Sequence, residues 1–186
     1  MIDFVLNKEL EGYASGFGFS KSYFVNIIKG NSFNEIIKAV NKSSDKLIIV
    51  NGDYRINPEI LKIKKINILL DHESNVKKDS LHYRNSGLNQ VSCKLAAKNK
   101  IAIGISFSNI LEKVKERSEL IGRIMQNVKL CNKYKVKMIL GSFARNKYEL
   151  RGAKDLEAFG RVLGIHKLNN ENIFKEKEFT DIEILK

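Results

Sequence analysis

Short uninterrupted apolar runs alternate along the chain with stretches of helical periodicity. Met1–Leu6, Leu47–Val50, Ile66–Leu70, Ile101–Ser106 and Val136–Ser142 are such runs, and Ser15–Phe19 is a further candidate strand. Their apolar residues follow one another without alternation, which is the pattern of strands covered on both faces. Between them lie the helical patterns. Asn31–Lys42 places Phe33, Ile36, Ile37 and Val40 at helical spacing, with Ser32 as the N-cap and Glu35 three residues on, a capping box. Asn51-Gly52 supplies turn chemistry, and Pro58 opens a short helix around Glu59–Ile63. Leu88–Lys100 is helical with Leu88, Val91 and Leu95 on one face, and Asn85 or Ser86 is placed to cap it. Arg117–Tyr134 is the longest helix, with Leu120, Ile121, Ile124, Met125, Val128 and Cys131 as its apolar face. Asp155 reads as the N-cap of a last helix through Leu163, ended by Gly164.

This order of strand and helix predicts an α/β fold, a parallel sheet covered by helices. Repetition along the whole length favours a barrel, but 186 residues fall short of an ordinary eight-fold one. A compact or incomplete parallel β/α barrel over residues 1–168 is the expectation. Residues 169–186 follow as a tail or docked terminal segment that ends in Ile182-Glu183-Ile184-Leu185.

Composition narrows the function classes. Hydrophobic residues make up 43% and charged residues 29%, ordinary for a soluble domain, and a single proline excludes Pro-rich linkers. No apolar run reaches the length of a membrane span, and Met1–Leu6 lacks the regions of a signal peptide. Cys93 and Cys131 form neither a CxxC pair nor a disulfide framework. They read as small buried residues of a protein in the reducing cytoplasm. Gly16-Phe17-Gly18-Phe19-Ser20-Lys21 fails both common phosphate-loop patterns.

Charge changes the picture most. The formal net charge is +12, and all of it falls in residues 84–167, since the segments before and after nearly cancel. A field of that sign on a folded segment attracts phosphate, so a nucleic-acid partner is expected. Arg84, Lys94, Lys98 and Lys100 flank or line the helix 88–100. On the long helix, Lys129 and Lys133 stand four apart and point away from the apolar face, with Arg123 at the polar margin. Arg145, Lys147, Arg151 and Lys154 surround the loop after strand 136–142, where Tyr148 could stack on an unpaired base. Loops after strands form the functional face of parallel barrels, which makes this loop the foremost RNA candidate, with Arg151 able to grip phosphate through two donors.

Particular residues also resemble a known family. Arg84-Asn85-Ser86-Gly87-Leu88-Asn89-Gln90-Val91, followed by Lys94-Leu95-Ala96-Ala97-Lys98, is similar to the signature of the archaeal ribonuclease P protein component 3 family. That family is the archaeal counterpart of the thirty-kilodalton eukaryotic RNase P and MRP subunit. Met125-Gln126-Asn127, Cys131 and Lys133-Tyr134-Lys135-Val136 resemble its long helix and the next strand. Leu150-Arg151, Asp155-Leu156 and Phe159-Gly160 resemble its C-terminal segment, and Gly52-Asp53, Ile56-Asn57 and His72-Glu73 its strand ends. The resemblance implies a TIM-like barrel related to the polymerase-and-histidinol-phosphatase (PHP) fold. It implies a protein subunit that assists a catalytic RNA in removing the 5′ leader of precursor tRNA. The implied partners are the ribonuclease P RNA, a small ferredoxin-like subunit and other RNase P proteins, with precursor tRNA met indirectly. No cofactor is expected on the chain itself; Mg2+ would serve the RNA of the holoenzyme.

Two other readings stay open. A metal-dependent phosphoesterase of the related barrel family needs clustered His, Asp and Glu, and normally a His-x-His pair after the first strand. Here Asp3-Phe4-Val5-Leu6-Asn7 stands at that place, and His72, His82 and His166 are the only histidines. Asp71-His72-Glu73, with Asp3 and Asp53, is the one group that could hold a remnant metal; a caged carboxylate beside a hydrogen-bonded His is the simpler reading. The third reading is a generic RNA-binding scaffold.

Overall fold

The computed structural model describes residues 1–73, 79 and 84–174. His82 and residues 175–186, including Ile182–Leu185, lie outside them. Seven strands run parallel: β1 (Ile2–Val5), β2 (Lys21–Phe24), β3 (Ile27–Ile28), β4 (Ile49–Asn51), β5 (Ile68–Leu70), β6 (Ala102–Ser106) and β7 (Met138–Gly141). Six helices connect or follow them: α1 (Phe33–Lys42), α2 (Asn57–Ile60), α3 (Gln90–Lys98), α4 (Phe107–Glu112), α5 (Arg117–Tyr134) and α6 (Ala153–Val162).

β3 to β7 form one sheet in chain order, and β1 pairs with β2. Two links close the ring. β2 and β3 are separated only by Val25 and Asn26, so one bent stretch pairs with β1 through its first half and with β4 through its second. On the other side β1 meets β7: Phe143 donates its N–H to the Phe4 carbonyl at 2.8 Å, and Leu6 to that of Ala144 at 2.8 Å. Below this junction Asn170 bridges the two strands. Its amide donates to the carbonyls of Ile2 and Leu140, and its oxygen accepts the Leu140 N–H. Among the described residues the result is a TIM-like parallel barrel with fewer than eight strands.

Alternate residues on each strand serve two cores, which is why the strands read as unbroken apolar runs. Ile2, Phe4, Ile49, Ile68, Leu70 and Ile139 fill one cluster, the barrel interior. Val50, Leu69, Ile103 and Leu140 face the other way, against Ile36 of α1, Ile60 of α2, Ile124 of α5 and Leu156 of α6. Residues 169–174 dock on this frame, with Ile173 and Phe174 packed on the interior cluster.

Local expectations held where a cap or an apolar run was explicit. Ser32 caps α1, accepting the Glu35 N–H, although the Glu35 carboxylate reaches Asn31 N rather than that of the cap. α5 spans Arg117–Tyr134, and Gly164 adopts the left-handed φ of +88° that ends the segment after α6. Four details differ. Ser15–Phe19 is no strand: Ser15–Phe17 is a 3-10 turn closed by left-handed Gly18, and the strand begins at Lys21. α3 is capped by Asn89, three or four residues later than expected. That shift turns Val91 outward, 61% exposed, and buries Ser92, Cys93 and Ala96, whose small side chains allow close packing. α4 was not anticipated; Ser106 caps it by accepting the Asn109 N–H. Gly152, not Asp155, occupies the N-cap of α6, and Asp155 lies in the first turn, where its charge suits the helix dipole.

Candidate nucleic-acid interface

The strand ends come first, because a parallel barrel normally presents its chemistry there. Each carboxylate at this end is tied down locally. Asp3 accepts the backbone N–H of Ser142 at 2.7 Å and its hydroxyl at 2.5 Å. Burial raises its pKa, and the Ser142 bonds only partly offset that. Asp53 accepts two bonds from the Arg55 guanidinium, at 3.0 and 2.7 Å, which hold it below the ordinary carboxylate range. Asp71, in a left-handed conformation at φ 50°, accepts the Ser106 N–H at 2.9 Å. Burial pushes it up to about 7 despite that bond and the charges of Lys29 and Arg145. Among the described residues no three His, Cys, Asp or Glu side chains form a group able to hold a metal ion. The donors expected for a phosphoesterase centre are therefore not assembled by these residues.

His72 and Glu73 point elsewhere, into the layer between sheet and helices. Both are 1% exposed. The Asn127 amide of α5 donates to the Ser86 carbonyl at 2.7 Å and to His72 Nε2 at 2.8 Å, which leaves the imidazole proton on Nδ1. That nitrogen stands 3.2 Å from the Glu73 carboxyl, within ion-pair distance but out of line for a hydrogen bond. Burial lowers His72 to about 3, and burial with the Asp71 charge holds Glu73 well above its usual range. The pair is fully buried and caged. Gly52 forms its roof: a Cβ there would come within 2.4 Å of His72 Cα. Asn57 stitches the same region, accepting the Asp53 N–H and donating to the Gly87 carbonyl. Gln126 donates to the Arg84 carbonyl. Thus Gly52-Asp53, Asn57, His72-Glu73, Arg84–Gly87 and Gln126-Asn127 converge on one buried polar knot. Cys93 and Cys131 lie fully buried between α3 and α5 with their thiols facing each other; the neighbouring Cys93 thiol, and then burial, raise the Cys131 thiol.

The cations lie outside the knot. Lys94 and Lys98 on α3 are exposed, as are Lys129 and Lys133 on α5. The two helices are in contact, so these four lysines share one outer layer of the barrel. Arg84 is half-exposed and lies flat against Gly122, where a Cβ would meet its Nη1 at 2.1 Å. Arg123 corrects the expectation. It is not at the polar margin but buried, 3.2 Å from Asp79 and 3.7 Å from Glu119, so it serves the fold and is withdrawn as an RNA contact. The reason is helical phase: Arg123 flanks Leu120, Ile124 and Asn127 on the sheet side of α5.

The loop after β7 is more occupied than its sequence suggests. Arg145 is paired with Glu112 at 3.0 Å and Glu149 at 3.2 Å. Lys147 lies 4.8 Å over the Tyr13 ring. Arg151 donates to the carbonyls of Tyr148 and Leu150 and covers the Phe107 ring at 5.3 Å. Tyr148 is 90% exposed, and Lys154 is exposed on α6. The loop is thus rigid and presents Tyr148, while its arginines are held by internal partners.

Sequence reasoning missed Asn57, Asn127 and Asn170 as buried connectors. The available signal was an Asn inside or beside an apolar pattern, which is buried where its amide finds partners.

A family model described as RNase P subunit p30 matches residues 31–178. Ribonuclease P protein component 3 of Methanococcus maripaludis is 30% identical over 130 residues, which covers 68% of this chain and 53% of that protein. The protein of the same name from Methanosarcina mazei is 31% identical over 133 residues, covering 71% and 52%. The chain spans about half the length of these curated relatives. In structure it is similar to a chain from a cryo-EM structure of archaeal ribonuclease P with mature tRNA, with a TM-score of 0.66 at 23% identity, covering 94% of this chain and 77% of that one. With a family model matched over most of its length, the chain belongs to the RNase P subunit p30 family.

Proposed function

We propose that this chain is a protein subunit of ribonuclease P that binds the catalytic RNA and helps it remove the 5′ leader of precursor tRNA. The observation that carries this reading is family membership joined to a layer of exposed lysines, Lys94, Lys98, Lys129 and Lys133, on two contacting helices. Those ammonium groups would offset repulsion between neighbouring phosphates and so lower the magnesium that the RNA needs. Arg84 lies against Gly122 of α5, Lys154 is exposed on α6, and Tyr148, carried by the loop of Arg145, Lys147 and Arg151, offers a stacking ring. The chain performs no chemistry by itself in this account and binds no cofactor of its own; Mg2+ acts in the RNA. Its protein partners would be a small ferredoxin-like subunit and other RNase P proteins, and its setting the cytoplasm. Among the described residues no helix is long and apolar enough to cross a membrane.

The test is precursor-tRNA cleavage by the reconstituted particle at limiting magnesium, with this protein present or omitted and the protein alone as control. Stimulation that depends on the RNA is the expected result. Chelator-sensitive cleavage by the protein alone would instead support the phosphoesterase reading.

A further inference from the structure

The barrel has a second end, where strands begin, and lysines collect there. β4 and β5 pair with Ile49 opposite Ile68, β5 and β6 with Ile68 opposite Ala102, and β6 and β7 with Ile103 opposite Met138. Counting back along those ladders brings Lys46, Lys65, Lys100 and Lys135 to within one residue of a common row. Four strands at about 4.8 Å spacing give this row a length of about 14 Å on a rigid sheet edge. All four are exposed residues. Among the described residues Lys46, Lys100 and Lys135 make no ion pair, whereas Lys65 donates to the carbonyls at the end of α1. Burial, and after it the Lys100 charge, lowers the pKa of Lys137, so a second cation stands close to Lys100. Of two carboxylates nearby, Asp45 accepts the Ser43 hydroxyl and Glu171 pairs with the chain's N-terminus at 2.9 Å.

Lys100 and Lys135 have a further peculiarity. Each adopts φ of +55° immediately after its helix, a place that glycine ordinarily takes. Both helices run back toward this end, so Lys94 and Lys98 lead down α3 to Lys100, and Lys129 and Lys133 lead down α5 to Lys135. The exposed aromatics Tyr13, Phe24 and Tyr148 all sit toward the opposite end, Phe24 as the last residue of β2 and Tyr13 and Tyr148 in the segments that follow β1 and β7. Val162, at the C-terminal end of α6, is exposed on this side, but among the described residues no exposed aromatic accompanies the lysine row. Such a row suits a phosphodiester backbone better than a protein interface, which is depleted in lysine and built around aromatic anchors.

We infer that the strand-start rim, through Lys46, Lys100 and Lys135, is a phosphate-backbone contact for RNA and continues the lysine layer of α3 and α5. This rests on the subunit reading above, and it extends the RNA contact to the end of the barrel opposite the strand ends.

The test uses the full chain and the catalytic RNA of ribonuclease P, with affinity measured at several salt concentrations. Lys100→Gly with Lys135→Gly, plus Lys46→Ala, removes three charges at positions that tolerate the change, because glycine relieves the positive φ. Lys113→Ala with Lys115→Ala removes charge at the other end, between α4 and α5. The rim variant is expected to bind about tenfold or more weakly, with the slope of log affinity against log salt less steep by about 2 to 3. Its melting temperature should equal or exceed that of the parent, and the control should bind within about twofold. Parent-like binding and slope in the rim variant would overturn the rim and leave the subunit reading standing. If the parent protein fails to bind the RNA, both fall. Unchanged RNA binding with loss of a partner subunit would make the rim a protein interface and overturn the inference.

Discussion

The buried polar residues of the family signature and the exposed lysines of α3 and α5, of which Lys94, Lys98 and Lys133 also belong to that signature, occupy different regions of this molecule and obey different physics. Gly52, Asn57, His72, Glu73, Ser86 and Asn127 make a buried polar knot in which the amides of Asn57 and Asn127 supply short, directional bonds. Lys94, Lys98, Lys129 and Lys133 are exposed on two helices. In the knot one lost partner strands another polar group away from water. On the surface each lysine acts almost independently, through a field that salt screens. Within one signature, therefore, some residues mark architecture while others, such as Lys94, Lys98 and Lys133, stand on the exposed surface.

The sharpest way to break this contrast is at the knot. Asn127→Leu leaves the Ser86 carbonyl and His72 Nε2 buried without a donor, and a loss of about 2 to 5 kcal/mol in unfolding free energy is expected by denaturant titration. A fold weakened by less than about 0.5 kcal/mol would show that the knot is not structural. Gly52→Ala should behave similarly, since its Cβ would collide with the His72 backbone.

The lysine layer should respond in the opposite sense. Lys94→Ala, Lys98→Ala, Lys129→Ala and Lys133→Ala together are expected to lower RNA affinity about a hundredfold near 0.15 M salt, while thermal unfolding changes by only a few degrees. Full affinity with intact circular dichroism would remove this layer from the interface.

A smaller effect separates the two regions by pH. Asp71 keeps its proton to about pH 7 in the folded state but loses it near pH 4 when unfolded. The folded state thus binds more protons between those values, and this contribution to stability is full below pH 4 and lost as pH rises through 7. His72, lowered to about 3, works the other way, and its contribution is lost as pH falls from about 6.5 towards 3. Asp71→Asn keeps the acceptor for Ser106 and abolishes the alkaline loss. It should gain on the order of 1 to 2 kcal/mol over the parent at pH 8 and little at pH 4. An equal pH profile in both proteins would contradict the assignment. The smallest change is expected from Tyr148→Ala with Lys147→Ala and Arg151→Ala, a few-fold weakening of RNA binding measured at fixed salt, because one exposed ring and two internally engaged cations contribute modestly.

Much of the architecture was legible in the chain. Unbroken runs such as Ile66–Leu70 announced strands covered on both faces, and their two-sided burial bears this out. The capping residue Ser32 and the length of α5 were equally readable. What escaped had no local signature. Asn170 closes the barrel across 168 residues of sequence to Ile2, a contact that no window of the chain can contain. Arg123 looked like one more surface cation because periodicity alone does not say that Asp79 waits beneath it. In the β7 loop the cations were visible but their engagement by Glu112, Glu149 and Tyr13 was not. Lysines that precede strands were overlooked as a group, since only the sheet register aligns them.

The central claim is that this protein meets RNA through phosphate contacts made by its basic exterior. Affinity for the catalytic RNA, measured from about 50 to 200 mM salt, tests it most directly. The account requires a linear fall of log affinity with log salt, with a slope of about −3 or steeper for at least four contacts. An affinity that does not change with salt would contradict it.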